Sequence, residues 1–110
     1  MNYRFALSGA LIALCVISPL RAADIAAGKK MALFVCSDCH GPTGVSVVEN
    51  FPNLAGQKEL YLAMQIKAFR AGKRKNSEMN IIAKRLSDAD IANLAAFFSM
   101  QSCPPKRPRN

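Results

Sequence analysis

Residues 36–40 read Cys36-Ser37-Asp38-Cys39-His40, and this stretch decides what the rest of the chain must build. C-x-x-C-H is the attachment pattern of a c-type haem. Each thiol adds across a vinyl group on one porphyrin edge, and two intervening residues let both sulfurs face that edge. The next side chain then falls beneath the iron. His40 is therefore the expected proximal ligand through one ring nitrogen, with the other nitrogen held by a hydrogen-bond acceptor. It is the only histidine in the chain, which excludes a second histidine ligand.

C-x-x-C also serves zinc and thiol redox centres. A thioredoxin-like dithiol belongs after a strand in a βαβ pattern, and no such pattern is visible. Zinc needs four ligands, which Cys36, Cys39, His40 and Cys103 together would just supply. Adjacent Cys39 and His40 suit one tetrahedral ion poorly, and there is no second C-x-x-C or H-x-x-H pair.

Outward toward the N-terminus, Met1-Asn2-Tyr3-Arg4-Phe5 carries one positive charge and precedes an apolar run from Ala6 to Leu20, the layout of a secretory leader. The run is short for a membrane span. Cleavage is expected after Ala22, giving a leader of residues 1–22 and one domain of residues 23–110; an uncleaved anchor is the alternative. Cys15 follows Leu14 rather than a small residue, so it departs with the leader. A domain this small is marginal without a staple, and a covalently held haem supplies apolar surface to bury.

The whole chain has 15 basic and 7 acidic residues, a balance of +8. Losing Arg4 and Arg21 with the leader leaves 13 and 7, or +6. Basic residues gather at Lys29-Lys30, Lys73-Arg74-Lys75, Lys84-Arg85 and Lys106, Arg107, Arg109. Such runs are either solvated surface or a steering field toward an acidic redox partner or anionic membrane surface. Nucleic acid is disfavoured for an exported chain with no tryptophan and no aromatic stacking platform.

Residues 24–37, DIAAGKKMALFVCS, predict a helix capped by Asp24, with Gly28, Ala32 and Val35 on one face. A mid-helix glycine points to close approach of another backbone or ring there. Residues 41–56 predict loop beside the haem, with Val45, Val47 and Val48 packing on the ring. Residues 57–71, QKELYLAMQIKAFRA, predict a helix with Leu62, Ile66 and Phe69 inward and Lys58, Lys67 and Arg70 outward, ended by Gly72. Residues 72–86 predict a basic loop with Met79 at its middle. Ser87 and Asp90 form a capping signature for a last helix bearing Ile91, Leu94, Ala95 and Phe98 on one face. Pro104-Pro105 end regular structure, and the tail 104–110 is expected to be mobile.

AGKKMALFVCSDCHGPTG, PNLAGQKELYLAMQIKAFRAGKR and LSDADIANLAAFF, in that order and spacing, resemble the class I cytochromes c, especially short bacterial monohaem proteins and the halves of their dihaem relatives. The resemblance spans nearly all of residues 24–100. It implies an all-α class I cytochrome c fold whose N- and C-terminal helices cross around one covalent haem, with Gly28 meeting an aromatic such as Phe97. It implies that the Pro52 carbonyl accepts a hydrogen bond from His40, that Leu54 packs on the haem, and that Met79 is the sixth ligand. Relatives often carry proline or a second methionine before that ligand, where this chain has Ser77-Glu78. One haem c, held by Cys36 and Cys39 and ligated by His40 and Met79, leaves no open iron position. The expected function is therefore a periplasmic, non-enzymatic electron carrier for redox protein partners with acidic docking surfaces, without stable membrane insertion after leader removal. The alternatives are a relay subunit of a larger oxidoreductase, or a weak peroxidase or ligand-binding protein using Arg74 or Arg85. Cys103 is open among an intermolecular disulfide, a buried thiol and a free thiol, so the oligomeric state is open too.

Overall fold

The computed structural model describes residues 21–105; the leader expected at 1–22 and the end of the tail fall almost wholly outside them. Among the described residues all regular structure is helical. Helix α1 (Ile25–Met31) runs through a π-helical turn (Ala32–Cys36) into α2 (Ser37–His40); α3 (Glu59–Arg70), α4 (Ser77–Ala83) and α5 (Asp88–Ser99) follow.

The opening helix differs from expectation in its middle. Asp24 caps it, its carboxylate accepting from Ala27 N–H at 3.0 Å. The ladder then widens to a π turn over Ala32–Cys36, whose last residue is the first cysteine of the motif, a placement typical of functional sites. Gly41, at φ +78°, stops α2 directly after His40.

Gly28 is the crossing point of the chain ends. A Cβ there would lie 2.1 Å from Asn93 O and 3.1 Å from Phe97 Cβ, so only a glycine lets α1 lie this close to α5. Asp24 N–H also donates to Asn93 Oδ1 at 2.7 Å. Ile91, Leu94, Ala95, Phe97 and Phe98 of α5 are buried with Ala32 and Leu62, forming the core. Each large apolar side chain so removed from water contributes roughly 1.5–3 kcal/mol.

Helix α5 begins with a complete capping box: Ser87 Oγ accepts from Asp90 N–H, and Asp90 Oδ2 accepts from Ser87 N–H. Helix α3 buries Leu62 and Phe69 with Ile66 half-buried, as its spacing predicts, and ends at Gly72 with φ +71°. Arg70 corrects the outward reading. It is half-buried, donating to Leu86 O at 3.0 Å and pairing with Asp88 at the start of α5.

The segment 72–86 is not wholly loop. Asn76 caps α4, which carries Met79 in its first turn, because an Asn side chain satisfies an orphan N–H there. The segment 41–56 is irregular as expected, but the three valines do not behave as predicted. Val47 is 93% exposed and Val48 is also exposed, and neither they nor Val45 line the interior cavity. Gly44 takes the inner place instead. At φ +82° it sits under Phe98, where a Cβ would lie 2.7 Å from the ring, and its carbonyl accepts from Leu54 and Ala55.

Candidate haem site

A cavity of about 580 Å³ opens between the loop after α2, helices α3 and α4, and α5. That is within the size range of cofactor sites, roughly 300–1,000 Å³. Cys36, Cys39 and His40 lie on one wall and Met79 and Ile82 of α4 also border it. Leu54, Leu62, Phe69, Leu94 and Phe98 supply apolar lining, so a flat apolar macrocycle fits the residues present.

His40 is buried, and its Nδ1 lies 2.8 Å from Pro52 O. A carbonyl only accepts, so Nδ1 carries a hydrogen, and in the neutral imidazole Nε2 is then the nitrogen whose lone pair is free for a metal. Proline can serve here because it lacks an N–H but retains its carbonyl. Pro52 itself is exposed, and Leu54, two residues on, is half-buried on the cavity. Burial, reinforced by the neighbouring Cys39, pushes the Cys36 thiol up to about 11.

Two residues without a sequence signal hold the attachment segment. Ser46, buried in the loop, shares its hydroxyl hydrogen between Cys39 O and Val48 O, both at 3.0 Å, and accepts from Val48 N–H. Asn53 Oδ1 accepts from Ser46 N–H at 2.7 Å. Ser and Asn are ordinary loop residues, so nothing in their spacing marks them.

Among the described residues no group of three or more His, Cys, Asp or Glu side chains converges to hold a metal ion, and Cys103 lies exposed beside Gly56 instead of on the cavity. Arg74 does border the cavity, but its guanidinium lies 4.6 Å from the centre of the Phe69 ring and donates to Gln65 Oε1 at 2.7 Å. Arg85 does not line it.

A buried, hydrogen-bonded histidine next to paired thiols on an apolar cavity, under crossed end helices, is the architecture of proteins that carry haem on thioether bonds. The Cytochrome c family model matches residues 25–101, and the chain belongs to that family, with the class I fold. Membership brings one cofactor, haem c, attached at Cys36 and Cys39. The chain is 48% identical over 80 residues to cytochrome c4 of Pseudomonas aeruginosa, covering 73% of this chain and 39% of that protein. It is 43% identical over 83 residues to cytochrome c-554(548) of Halomonas halodenitrificans, covering 73% of this chain and 99% of that one. A thiosulfate dehydrogenase electron acceptor of Stutzerimonas stutzeri is 43% identical over 67 residues, covering 58% of this chain and 31% of its own length. Reduced cytochrome c4 from Pseudomonas stutzeri superposes with a TM-score of 0.68 at 31% identity, over 74% of this chain and 51% of that structure. The chain thus spans about half or less of its cytochrome c4 relatives and nearly all of cytochrome c-554(548).

Proposed function

We propose that this protein is a periplasmic monohaem electron carrier, with iron held between His40 and Met79, that passes single electrons between protein redox partners. The observation that carries the reading is that Cys36, Cys39, His40 and Met79 all border one apolar cavity. A bound haem c supplies a one-electron ferric/ferrous couple that needs no atom transfer.

The chain's residues set the terms of that couple. The hydrogen bond to Pro52 O orients the His40 ring and raises the basicity of Nε2. The Met79 thioether is a neutral, soft donor that favours ferrous iron and so raises the potential. With both in place no position is open for substrate. The apolar lining keeps water away, and the basic turn Lys73-Arg74-Lys75, two of whose members border the cavity, steers an acidic partner toward it. Such a complex uses a small interface that releases quickly. The leader-like residues 1–22 support export. No helix among the described residues is long and apolar enough to cross a membrane.

Replacing Met79 by alanine tests the ligand. The ferric protein should lose the far-red charge-transfer band of methionine-ligated haem and bind carbon monoxide rapidly when reduced. Retention of the band would overturn the assignment. An alkaline pyridine haem spectrum with the mass of the mature chain tests the cofactor count and the leader together.

A relay within a larger oxidoreductase is the second reading, favoured by the likeness to a thiosulfate dehydrogenase electron acceptor. Elution from a sizing column with a partner, at a mass above that of one chain, would select it.

A further inference from the structure

Where relatives of the resembled family often carry proline or a second methionine just before the ligand, this chain has Ser77-Glu78, and two asparagines, Asn76 and Asn80, flank the segment bearing Met79. Asn76 Oδ1 accepts from Met79 N–H at 2.9 Å. Asn80, the next residue after Met79, closes the pair in the other direction, its Oδ1 accepting from Asn76 N–H at 2.8 Å. Its Nδ2 then donates to Phe69 O at 2.7 Å and to Arg74 O at 2.8 Å. One half-buried amide therefore joins the end of α3, the basic turn and the start of α4, with Met79 between its two anchors.

The orientation of that amide follows from its partners. Phe69 O and Arg74 O need donors, Asn76 N–H needs an acceptor, and only one arrangement of the Asn80 amide satisfies all three. No other common side chain of this size offers two donors and an acceptor in a plane. Serine has too few hydrogens, aspartate at neutral pH has none, and glutamine places its amide one methylene further out. The underlying turn is rigid as well: Lys73 N–H and Arg74 N–H both donate to Ala68 O, and the Arg74 guanidinium lies over the Phe69 ring.

We infer that Asn80 is the positioning residue for Met79, holding α4 against the end of α3 so that the thioether stays directed at the haem site. The inference rests on Met79 as ligand. Proline achieves stiffness by restricting the backbone of the free segment; here the restriction comes from hydrogen bonds to a different helix. A consequence is that methionine detachment is governed by the α3–α4 junction and can change without loss of the core formed by α1 and α5.

The experiment compares holoproteins of the unmodified sequence, Asn80→Ala, Asp24→Ala and Met79→Ala. Asp24→Ala removes the α1 cap, far from Met79 in the chain, and controls for general loss of stability. The probes are the far-red methionine–ferric band against pH, and imidazole binding to the ferric protein. In Asn80→Ala the band should persist at neutral pH but disappear at a lower alkaline pH than in the unmodified protein, and imidazole should bind roughly tenfold or more tightly, the scale expected when several net hydrogen bonds no longer oppose detachment. Asp24→Ala should lower the thermal midpoint while leaving both readings unchanged.

If Asn80→Ala shifts imidazole affinity no more than Asp24→Ala does, Asn80 is merely structural and the inference is overturned. If Met79→Ala keeps the band, Met79 is not the ligand, and both readings fail for that separate reason. Should Asn80→Ala not accumulate as holoprotein, Asn80→Asp keeps the acceptor for Asn76 N–H but removes both donors to Phe69 O and Arg74 O, and carries the same expectation in band and imidazole affinity; an unchanged result in that variant equally overturns the inference.

Discussion

The Cα of Gly28 faces the backbone of Asn93 so closely that a methyl group on it would lie 2.1 Å from the Asn93 carbonyl oxygen. The obstacle is main chain in the middle of α5, which cannot rotate away as a side chain can. Gly28→Ala should therefore separate the end helices and lower stability by about 3 kcal/mol, the upper end of ordinary overpacking costs. In a domain this small that corresponds to a fall in the thermal midpoint on the order of 10 °C, measurable by following the haem absorbance on heating.

Ser46 bonds the carbonyl of Cys39, one of the two attachment residues. Its replacement by alanine leaves that carbonyl and the Val48 carbonyl without the buried hydroxyl. The expected cost is about 1–3 kcal/mol in urea unfolding of the holoprotein, with the haem remaining attached because the thioether bonds are covalent.

Arg70 and Asp88 give the junction of α3 and α5 a pH dependence. The Arg70 guanidinium, first by hydrogen bonding and then by its charge, with Lys67 adding a little, holds the Asp88 carboxyl below its ordinary value of 3.8. A carboxyl lowered in the folded state contributes its stability above the unfolded value and loses it as pH falls through the folded one. The unmodified protein should thus exceed Asp88→Asn in denaturant midpoint at neutral pH by a constant margin. The margin should close only in acid, below about the ordinary carboxylate range. Because Asp88 is well exposed, added salt should shrink the neutral-pH margin as well.

Cys103 is exposed beside Gly56, which removes the buried-thiol possibility and leaves a disulfide with another chain or a free thiol. Cys36 and Cys39 carry haem and have no thiol to react. Iodoacetamide on the native, reduced mature holoprotein should therefore label Cys103 alone, read by peptide mass. Without reductant, a dimer band on a denaturing gel should vanish in Cys103→Ser if the disulfide forms.

The parts legible beforehand share one property: they are local along the chain. C-x-x-C-H places two sulfurs and an imidazole within five residues, and the Ser87–Asp90 box and the Asp24 cap each close over three. The α3 stripe of Leu62, Ile66 and Phe69 needs only the helical repeat. Where expectation failed, a distant partner overrode the local pattern. Arg70 reads as an outward charge by spacing, yet it turns to Leu86 O and Asp88, 16 and 18 residues away. Val47 and Val48 read as apolar lining, yet Gly44 takes the inner position because it alone tolerates both a positive φ and the Phe98 ring. The basic segment reads as loop, yet Asn80 finds Phe69 O eleven residues back and α4 forms around it.

Chemistry that resides in short motifs, namely the haem attachment, its histidine and the helix starts, was thus written in residue order. The closeness of Gly28 to Asn93, the pinning of Cys39 by Ser46 and the clamp beside Met79 came only with the fold. Each depends on a backbone group whose position is set by packing between helices, and main-chain carbonyls and amides are the same in every residue, so the sequence carries no letter for them.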